Sequence, residues 1–252
     1  MLIAQRHQKI LDILEEKNAV TIEELKKYFS VSESTIRNDL RYLERINKLK
    51  RSHGGAIKIQ KQEEIPFSQR SLIKKKEKEQ IGKIASQFIS PNETIFLDAG
   101  TTVMELAKNL PTDFEFNVVT SALNTALAAS VYPNVSVHLV GGLLRPALQE
   151  LVGPNAVEGI RKINAQKVFL GASGLSLERG VTENHIFSAE VKKAMVESAE
   201  QVFLLIDSEK IGKSFFVDLI PLDKVDVLIT DSNISDEYYT TLSEIGIKVI
   251  KA

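Results

Sequence analysis

The chain has no cysteine, which excludes disulfides and any zinc site built on thiolates and makes a cytosolic setting the expectation. It also lacks any apolar run of roughly eighteen residues, and no charged, apolar, small-residue signal opens it, so neither a membrane span nor secretion is expected. Two glycine motifs are missing as well. There is no GxxxxGKS/T loop and no GxGxxG after an apolar run, so neither a nucleoside triphosphate nor a dinucleotide is supported. Histidines are scarce, and His138 and His185 stand without a partner ligand motif. They read as structural or surface residues, and neither a metal nor a cofactor is expected.

What is present is an ordinary globular composition, 43% hydrophobic over 252 residues with 13 glycines, enough for more than one domain. The net charge of -1 conceals a division. Residues 1–83 hold 19 Lys+Arg against 12 Asp+Glu, whereas residues 84–252 hold 13 against 21. A basic front and an acidic back suit a protein with one end on phosphates and the other kept off them.

The basic front has helical periodicity. Ile10, Ile13 and Leu14 repeat at helical spacing; Thr21-Ile22-Glu23-Glu24 has capping-box spacing, and Ile22, Leu25 and Phe29 give the next short helix its apolar face. After a tight turn, Ser32 is a good N-cap for a third helix, in which Ile36, Leu40, Leu43 and Ile46 form a narrow apolar stripe. The opposite face carries Ser34, Asn38, Arg41 and Arg45, with Arg37 beside them and Thr35 at the helix start. Leu49–Ser52 and Ala56–Ile59 are short strand-like runs around His53-Gly54-Gly55, which reads as a wing. Three helices with the last one basic and outward match the helix-turn-helix arrangement, whose second helix lies in the major groove. A solvated charged face is the plain alternative for any one basic helix; the capped partner helix and the wing favour DNA.

Residues 6–56 resemble the N-terminal domain of the DeoR family of bacterial transcription regulators, through Arg6, Ile10, the run STIRNDL from Ser34 to Leu40, and RSHGGA from Arg51 to Ala56. Asn38 departs from the basic residue common there, and Asn47 from a usual glycine. An amide suits adenine where arginine suits guanine, so Asn38 bears on base preference. The resemblance makes Ser34, Thr35, Arg37, Asn38, Arg41, Arg45, Lys50, Arg51 and His53 the expected DNA-binding set.

Polar residues, Pro66 and the run KKKEKE then read as a linker entering a helix with Ile81, Ile84, Ala85 and Phe88 on its apolar face. The expected division is a winged helix-turn-helix over 1–59, a linker over 60–77 and a domain over 78–252. From Thr94 onward, seven short apolar runs begin at 94, 116, 135, 167, 201, 225 and 247 and alternate with amphipathic stretches. That pattern predicts an α/β domain with a mainly parallel sheet covered on both faces.

Ligands of such sheets bind beyond the carboxyl ends of the strands. Those positions hold Asp98, Gly100, Thr101 and Thr102 at a helix start, then Thr120, Ser121 and Asn124, then Gly141 and Gly142, Gly171 to Gly174, and Asp207 with Lys210. Each alone could be a cap or a tight turn. As a set they suit a small polyol carrying a phosphate. LDAGTT, Gly141-Gly142, the AEVKKAM run with Glu190 and Lys193, and LIDSEK also resemble the DeoR-type sensor domain, similar in fold to ribose-5-phosphate isomerase. Gln166 departs from an acidic residue common before that strand.

The resemblance implies a repressor of a sugar-catabolic operon, released from double-stranded DNA by a phosphorylated sugar; because one small winged domain offers limited contact, a homo-oligomer on repeated half-sites is expected. An isomerase-like enzyme is the alternative, with Glu190, Asp98, Asp207 and Lys210 as groups of the right type. Their spacing specifies no mechanism, and the expectation is a binding protein rather than an enzyme.

Overall fold

The structure, a computed structural model, describes residues 3–17, 19–45, 48–52, 54–58 and 65–252. The chain divides into two compact units, Met1–Glu63 and Glu64–Ala252. The segment read as a linker is therefore shared between them, and from Ile65 onward it belongs to the second unit.

The first unit runs α1 (Ile3–Lys17), β1 (Ala19–Thr21), α2 (Ile22–Phe29), α3 (Glu33–Arg45), β2 (Leu49–Ser52) and β3 (Gly55–Lys58). The capping box forms as expected. The Thr21 hydroxyl accepts from the Glu24 N–H at 3.2 Å, and the Glu24 carboxylate accepts from the Thr21 N–H at 2.8 Å. Ser30 ends α2 in the left-handed region, φ 54°, and the Ser32 hydroxyl opens α3 by accepting from the Thr35 N–H at 3.2 Å.

Ile10, Leu14, Leu25, Ile36, Leu40 and Leu43 are buried together, each worth about 2 kcal/mol in burial. The wing gains a strand, because β1 pairs with β3 in an antiparallel sheet of order β1-β3-β2. That crossing explains Gly55, where an added Cβ would lie 2.0 Å from the Val20 carbonyl oxygen. The expectations placed on Ile46, Asn47, His53 and Ile59, and on the side chains of Arg45 and Lys50, fall outside the described residues.

The second unit runs α4 (Phe67–Arg70), α5 (Lys75–Ser86), β4 (Thr94–Leu97), α6 (Thr101–Ala107), β5 (Phe116–Thr120), α7 (Leu123–Ala129), β6 (Val135–Leu139), β7 (Leu143–Arg145), β8 (Glu150–Val152), α8 (Pro154–Arg161), β9 (Ala165–Leu170), β10 (Gly174–Ser176), β11 (Gly180–Glu183), α9 (Ile186–Glu197), β12 (Ala199–Leu205), β13 (Val217–Ile220), β14 (Val227–Thr230), α10 (Asp236–Glu244) and β15 (Lys248–Lys251). The seven apolar runs form one parallel sheet, in the order β15-β14-β12-β9-β4-β5-β6. Its side chains alternate between two cores. Phe96, Val168 and Leu204 face one, with Ala156, Ile160 and Met195 of the helices. Ile95, Leu97, Phe169 and Phe203 face the other, with Ile81, Ala85, Val103 and Leu106.

From β4 the chain winds outward through β5 and β6, then returns to the other side of β4 as β9 and winds the opposite way. The reversal lies between β4 and β9, and such a point opens a crevice at the carboxyl edge. Two small sheets lie outside the seven strands, the hairpin β7-β8 and the antiparallel β10-β11-β13. Gln166 stands at the other end of β9, where its side-chain oxygen accepts from the Thr94 N–H at 2.8 Å. It ties the two strands together away from the crevice.

Candidate functional site

In the first unit, α3 turns Ile36, Leu40 and Leu43 inward and leaves Ser34, Arg37, Asn38 and Arg41 exposed on its other side. Thr35 is half-buried and shares its hydroxyl with Ser32 at 2.8 Å. Arginines on and beside this face have polar neighbours. Arg37 pairs with Glu33 at 2.6 Å, Arg41 donates to the Asn38 amide oxygen at 3.0 Å, and Arg51 donates to Glu44 at 2.7 Å.

Beneath the face is a residue that the sequence did not single out. Asp39 is buried and accepts from Arg6 Nε and Nη2 at 2.6 and 3.0 Å, and it also lies 2.9 Å from His7 Nε2. The His7 ring stacks on Tyr42 of α3 at 4.9 Å. These contacts fix the rotation of α3 against α1, and with it the side chains that face outward.

In the second unit, the crevice between β4 and β9 holds a buried cation. Lys192 Nζ lies 3.0 Å from Asp98 Oδ2 and 2.6 Å from Glu183 Oε2, and it donates to the Gly171 carbonyl at 2.9 Å. Asp98 Oδ2 also accepts from the Gly171 N–H at 2.9 Å, which ties the end of β4 to the end of β9. Burial would raise the Glu183 carboxyl, yet Lys192, the Ser173 hydroxyl and the Asn184 N–H hold it down at about 2. Burial would likewise lower the Lys192 ammonium, but Asp98 and Glu183 keep it above the ordinary lysine range.

Lys192, rather than Lys193, is therefore the lysine of α9 that reaches the crevice. Lys193 is half-buried and Glu190 is exposed. The signal was the helical step from the buried Ala189 to Lys192 and Met195. Glu183 was likewise missed, since it comes from β11 of a small sheet that lacked a periodic signature, whereas its partner Ser173 stands in the Gly171 to Gly174 run read at the strand end.

The structure brings Asp98, Gly100, Thr101, Thr102, Thr120, Ser121, Asn124 and Asp207 to this edge as buried groups, with Lys210 half-buried. Gly141 and Gly142 are exposed after β6, and Gly142 passes so close to β8 that a Cβ would lie 2.7 Å from the Val152 oxygen. That close approach gives Gly142 a packing role. Thr120 uses its hydroxyl locally, accepting from the Ala122 N–H at 3.0 Å. Asn124 is different. Its Oδ1 accepts from the Thr125 N–H, while its buried Nδ2 has no partner, so a donor is available beside the end of β5.

Two helices begin at the same edge. Because α5 leads into β4 and α6 leaves it, both amino termini lie at the carboxyl end of that strand. They pack closely, since a Cβ on Gly82 would come within 2.6 Å of the Glu105 backbone. One turn earlier on each stand Lys78 and Thr101-Thr102. Lys210 donates to the Ala172 carbonyl at 2.9 Å and lies 3.9 Å from Asp207; burial brings its pKa down to about 8 against the pull of Asp207.

Beyond the end of β5, the β7-β8 hairpin, which the sequence reading also missed, packs between the start of α7 and α9. Arg145 and the Ser188 hydroxyl both meet Glu150 Oε1 at 2.5 Å, and burial raises the Glu150 carboxyl despite Ser188, Lys192 and Arg145. Helix starts and lysines at one end, and amide, hydroxyl and carboxyl groups at the other, can take a small ligand with an anionic head and a hydroxylated tail.

The comparisons agree with this architecture. A DeoR-like helix-turn-helix domain matches residues 6–62, and a DeoR C terminal sensor domain matches residues 73–232. The HTH-type transcriptional regulator YulB of Bacillus subtilis (strain 168) is 37% identical over 250 residues, covering 99% of this chain and 96% of that protein. The glycerol-3-phosphate regulon repressor of Escherichia coli (strain K12) is 31% identical over 228 residues, 90% of each. A solved D-ribose-5-phosphate isomerase in complex with phospho-erythronic acid overlaps 54% of each chain at 14% identity and a TM-score of 0.41. With its amino-terminal winged helix-turn-helix and its parallel-sheet sensor unit both matched, the chain belongs to the DeoR family of DNA-binding transcriptional regulators.

Proposed function

We propose that this protein represses a sugar-catabolic operon and leaves its operator when a phosphorylated sugar fills the crevice between β4 and β9. The carrying observation is the convergence there of two helix starts, Lys78, Lys210 and Thr101-Thr102 with the unpartnered Asn124 amide. The helix starts and lysines take the phosphate. Asn124, Asp98 and Glu150 read hydroxyls.

On DNA, Ser34, Thr35, Arg37, Asn38 and Arg41 face the major groove. Arg51, with Arg45, Lys50 and His53, contacts phosphates, giving affinity that falls with salt. The partners of Arg37 and Arg51 are exposed carboxylates, and exposed pairs contribute only about 0 to 1 kcal/mol. Exchanging Glu33 or Glu44 for a phosphate therefore costs little. One winged unit offers limited contact, so a homo-oligomer on repeated half-sites is the working form.

The isomerase reading is weaker. Of the groups of the right type, Glu190 is exposed on α9, Asp98 is tied to Lys192 and to the Gly171 N–H, and Lys210 donates to the Ala172 carbonyl beside Asp207, so these groups are engaged in structural contacts rather than set as an acid–base pair over a substrate. The working role is binding, without catalysis and without a cofactor.

The test is a mobility shift on the gene's own upstream region at fixed salt, with a panel of phosphorylated sugars and their unphosphorylated parents. Release by one phosphorylated sugar and not by its parent is the expected result. Conversion of a sugar phosphate without DNA binding would overturn the reading.

A further inference from the structure

Residues 63–72 lie between the two family matches, yet from Ile65 they are built onto the sensor unit. Three contacts seat this stretch. The Phe67 N–H donates at 2.8 Å to the carbonyl of Ala147, in the loop between β7 and β8. Lys78 Nζ, itself buried, donates at 2.7 Å to the Arg70 carbonyl. Lys74 pairs at 3.1 Å with Glu209, in the turn that follows β12.

The first anchor belongs to the hairpin that follows β6, and the last to the turn that follows β12. In the sheet order, β9, β4 and β5 lie between those two strands, so the stretch spans the carboxyl ends of the strands that form the crevice. Its sharp corner is at Lys74, a non-glycine residue at φ 53°. A left-handed backbone there is strained and persists only where surroundings hold it. Glu77 at 3.3 Å and Glu209 do so.

We propose that Pro66–Lys74 is a strap across the ligand crevice, and that Arg70 joins Lys78 and Lys210 as the third cation of its anion site. Seating of the strap and binding of a phosphate group are then one event. This rests on the phosphorylated-ligand reading of the crevice and adds the element through which occupancy is sensed.

The electrostatics agree with the geometry. After burial, Arg70 and Lys78 are what depress Lys210, with Asp207 opposing them, and Arg70 likewise depresses Lys78. The three cations share their neighbourhood with Asp207, the strongest charge partner of both lysines, and the bond from Lys78 Nζ to the Arg70 carbonyl sets those two residues side by side. A phosphate there meets more positive than negative charge, and arginine grips such a group in bidentate fashion. Among the described residues the strap is seated by the bonds to Ala147 and from Lys78 and by the Lys74–Glu209 ion pair, and a bound phosphate adds a charged keystone. Because the strap is the first stretch of the sensor unit after the DNA-binding unit, clamping it fixes where the chain leaves the crevice.

The test uses the full chain, with inorganic phosphate as the probe and chloride of matched ionic strength as the control. Phosphate binding is followed by phosphorus NMR line broadening, and the strap by trypsin cleavage after Arg70 and Lys74. Phosphate is expected to slow both cleavages several-fold, with a panel of sugar phosphates doing so at lower concentration. Arg70→Met should weaken phosphate binding about tenfold and abolish protection at Lys74, and Arg70→Lys should restore part of both. Phosphate that binds equally well in Arg70→Met, or binds without slowing cleavage, sinks the strap while leaving the anion site intact. Phosphate that does not bind at all sinks both. Operator binding, read separately by mobility shift, reports on the regulator assignment whatever the strap does.

Discussion

Arg6 of α1 grips Asp39 of α3 with two nitrogens, at 2.6 and 3.0 Å, and the pair is buried. It joins the first helix to the recognition helix by a contact with only one good geometry. Removing one partner of a buried pair strands the other, at about 3 to 5 kcal/mol. Asp39→Ala is therefore expected to unfold the first unit at a much lower temperature while the second unit keeps its own transition. Calorimetry with two resolved transitions checks this, and an unshifted first transition would contradict it.

Arg41→Ala acts on the other side of the same helix, where nothing is buried. The loss should be about 1 to 3 kcal/mol of operator affinity with relaxed preference at one base pair, and ligand binding should be untouched. Competition between operator and scrambled DNA at one salt concentration measures it. Asn38, bonded to Arg41 at 3.0 Å, is expected to govern a neighbouring base pair.

Thr101→Ala with Thr102→Ala removes two buried hydroxyls from the start of α6. Operator affinity without ligand should stay as it is, and release by the phosphorylated sugar should vanish. Unchanged release would move the phosphate elsewhere on the edge.

The central strands were legible because they are buried on both faces and so read as unbroken apolar runs, as in Thr94–Leu97 or Val227–Thr230, whereas the edge strands Val135–Leu139 and Lys248–Lys251, which are only partly buried, showed through their β-branched residues. The hairpin β7-β8 was not, because Leu143 and Leu144 are exposed while Glu150 is buried, the reverse of what composition suggests. The crevice shows the same limit. Asp98 and Thr101 were visible beside a strand end, but Lys192 and Glu183 owe their roles to partners that only the folded sheet supplies. In AEVKKAM two lysines stand together, and packing against the end of β9 decides which one turns inward.

The pKa of Lys210, brought down to about 8 by burial, gives ligand binding a pH dependence of definite sign. A phosphate group favours the ammonium form, so affinity should hold below about pH 8 and fall roughly tenfold per pH unit above it. Lys210→Arg should flatten the profile, since guanidinium stays charged. Titration calorimetry from pH 7 to 9.5 is the measurement, and a flat wild-type profile would refute the assignment.

Stability in acid follows from Glu183. Its folded pKa, about 2, lies below the ordinary 4.5, so its contribution is complete above about pH 4.5 and is lost as pH falls toward 2. Lys192→Met leaves Asp98 and Glu183 buried without their cation. The sensor unit should then lose about 3 to 5 kcal/mol at neutral pH, and that deficit should shrink as the pH falls and the two stranded carboxylates take up protons. Urea unfolding across the acid range checks both.

The tie between Asp98 and Gly171 spans 73 positions, and during synthesis that separation is time. At about 5 to 20 residues per second, roughly 4 to 15 seconds pass between the two emerging. The first unit, complete by Glu63, has its core and recognition helix well before then. A nascent or truncated chain ending before β9 thus carries the DNA-binding unit while the ligand crevice does not yet exist, so whatever DNA affinity a single winged unit has is blind to the ligand. Nonsense mutations in that window are expected to leave fragments whose DNA binding is weak and unresponsive to the ligand.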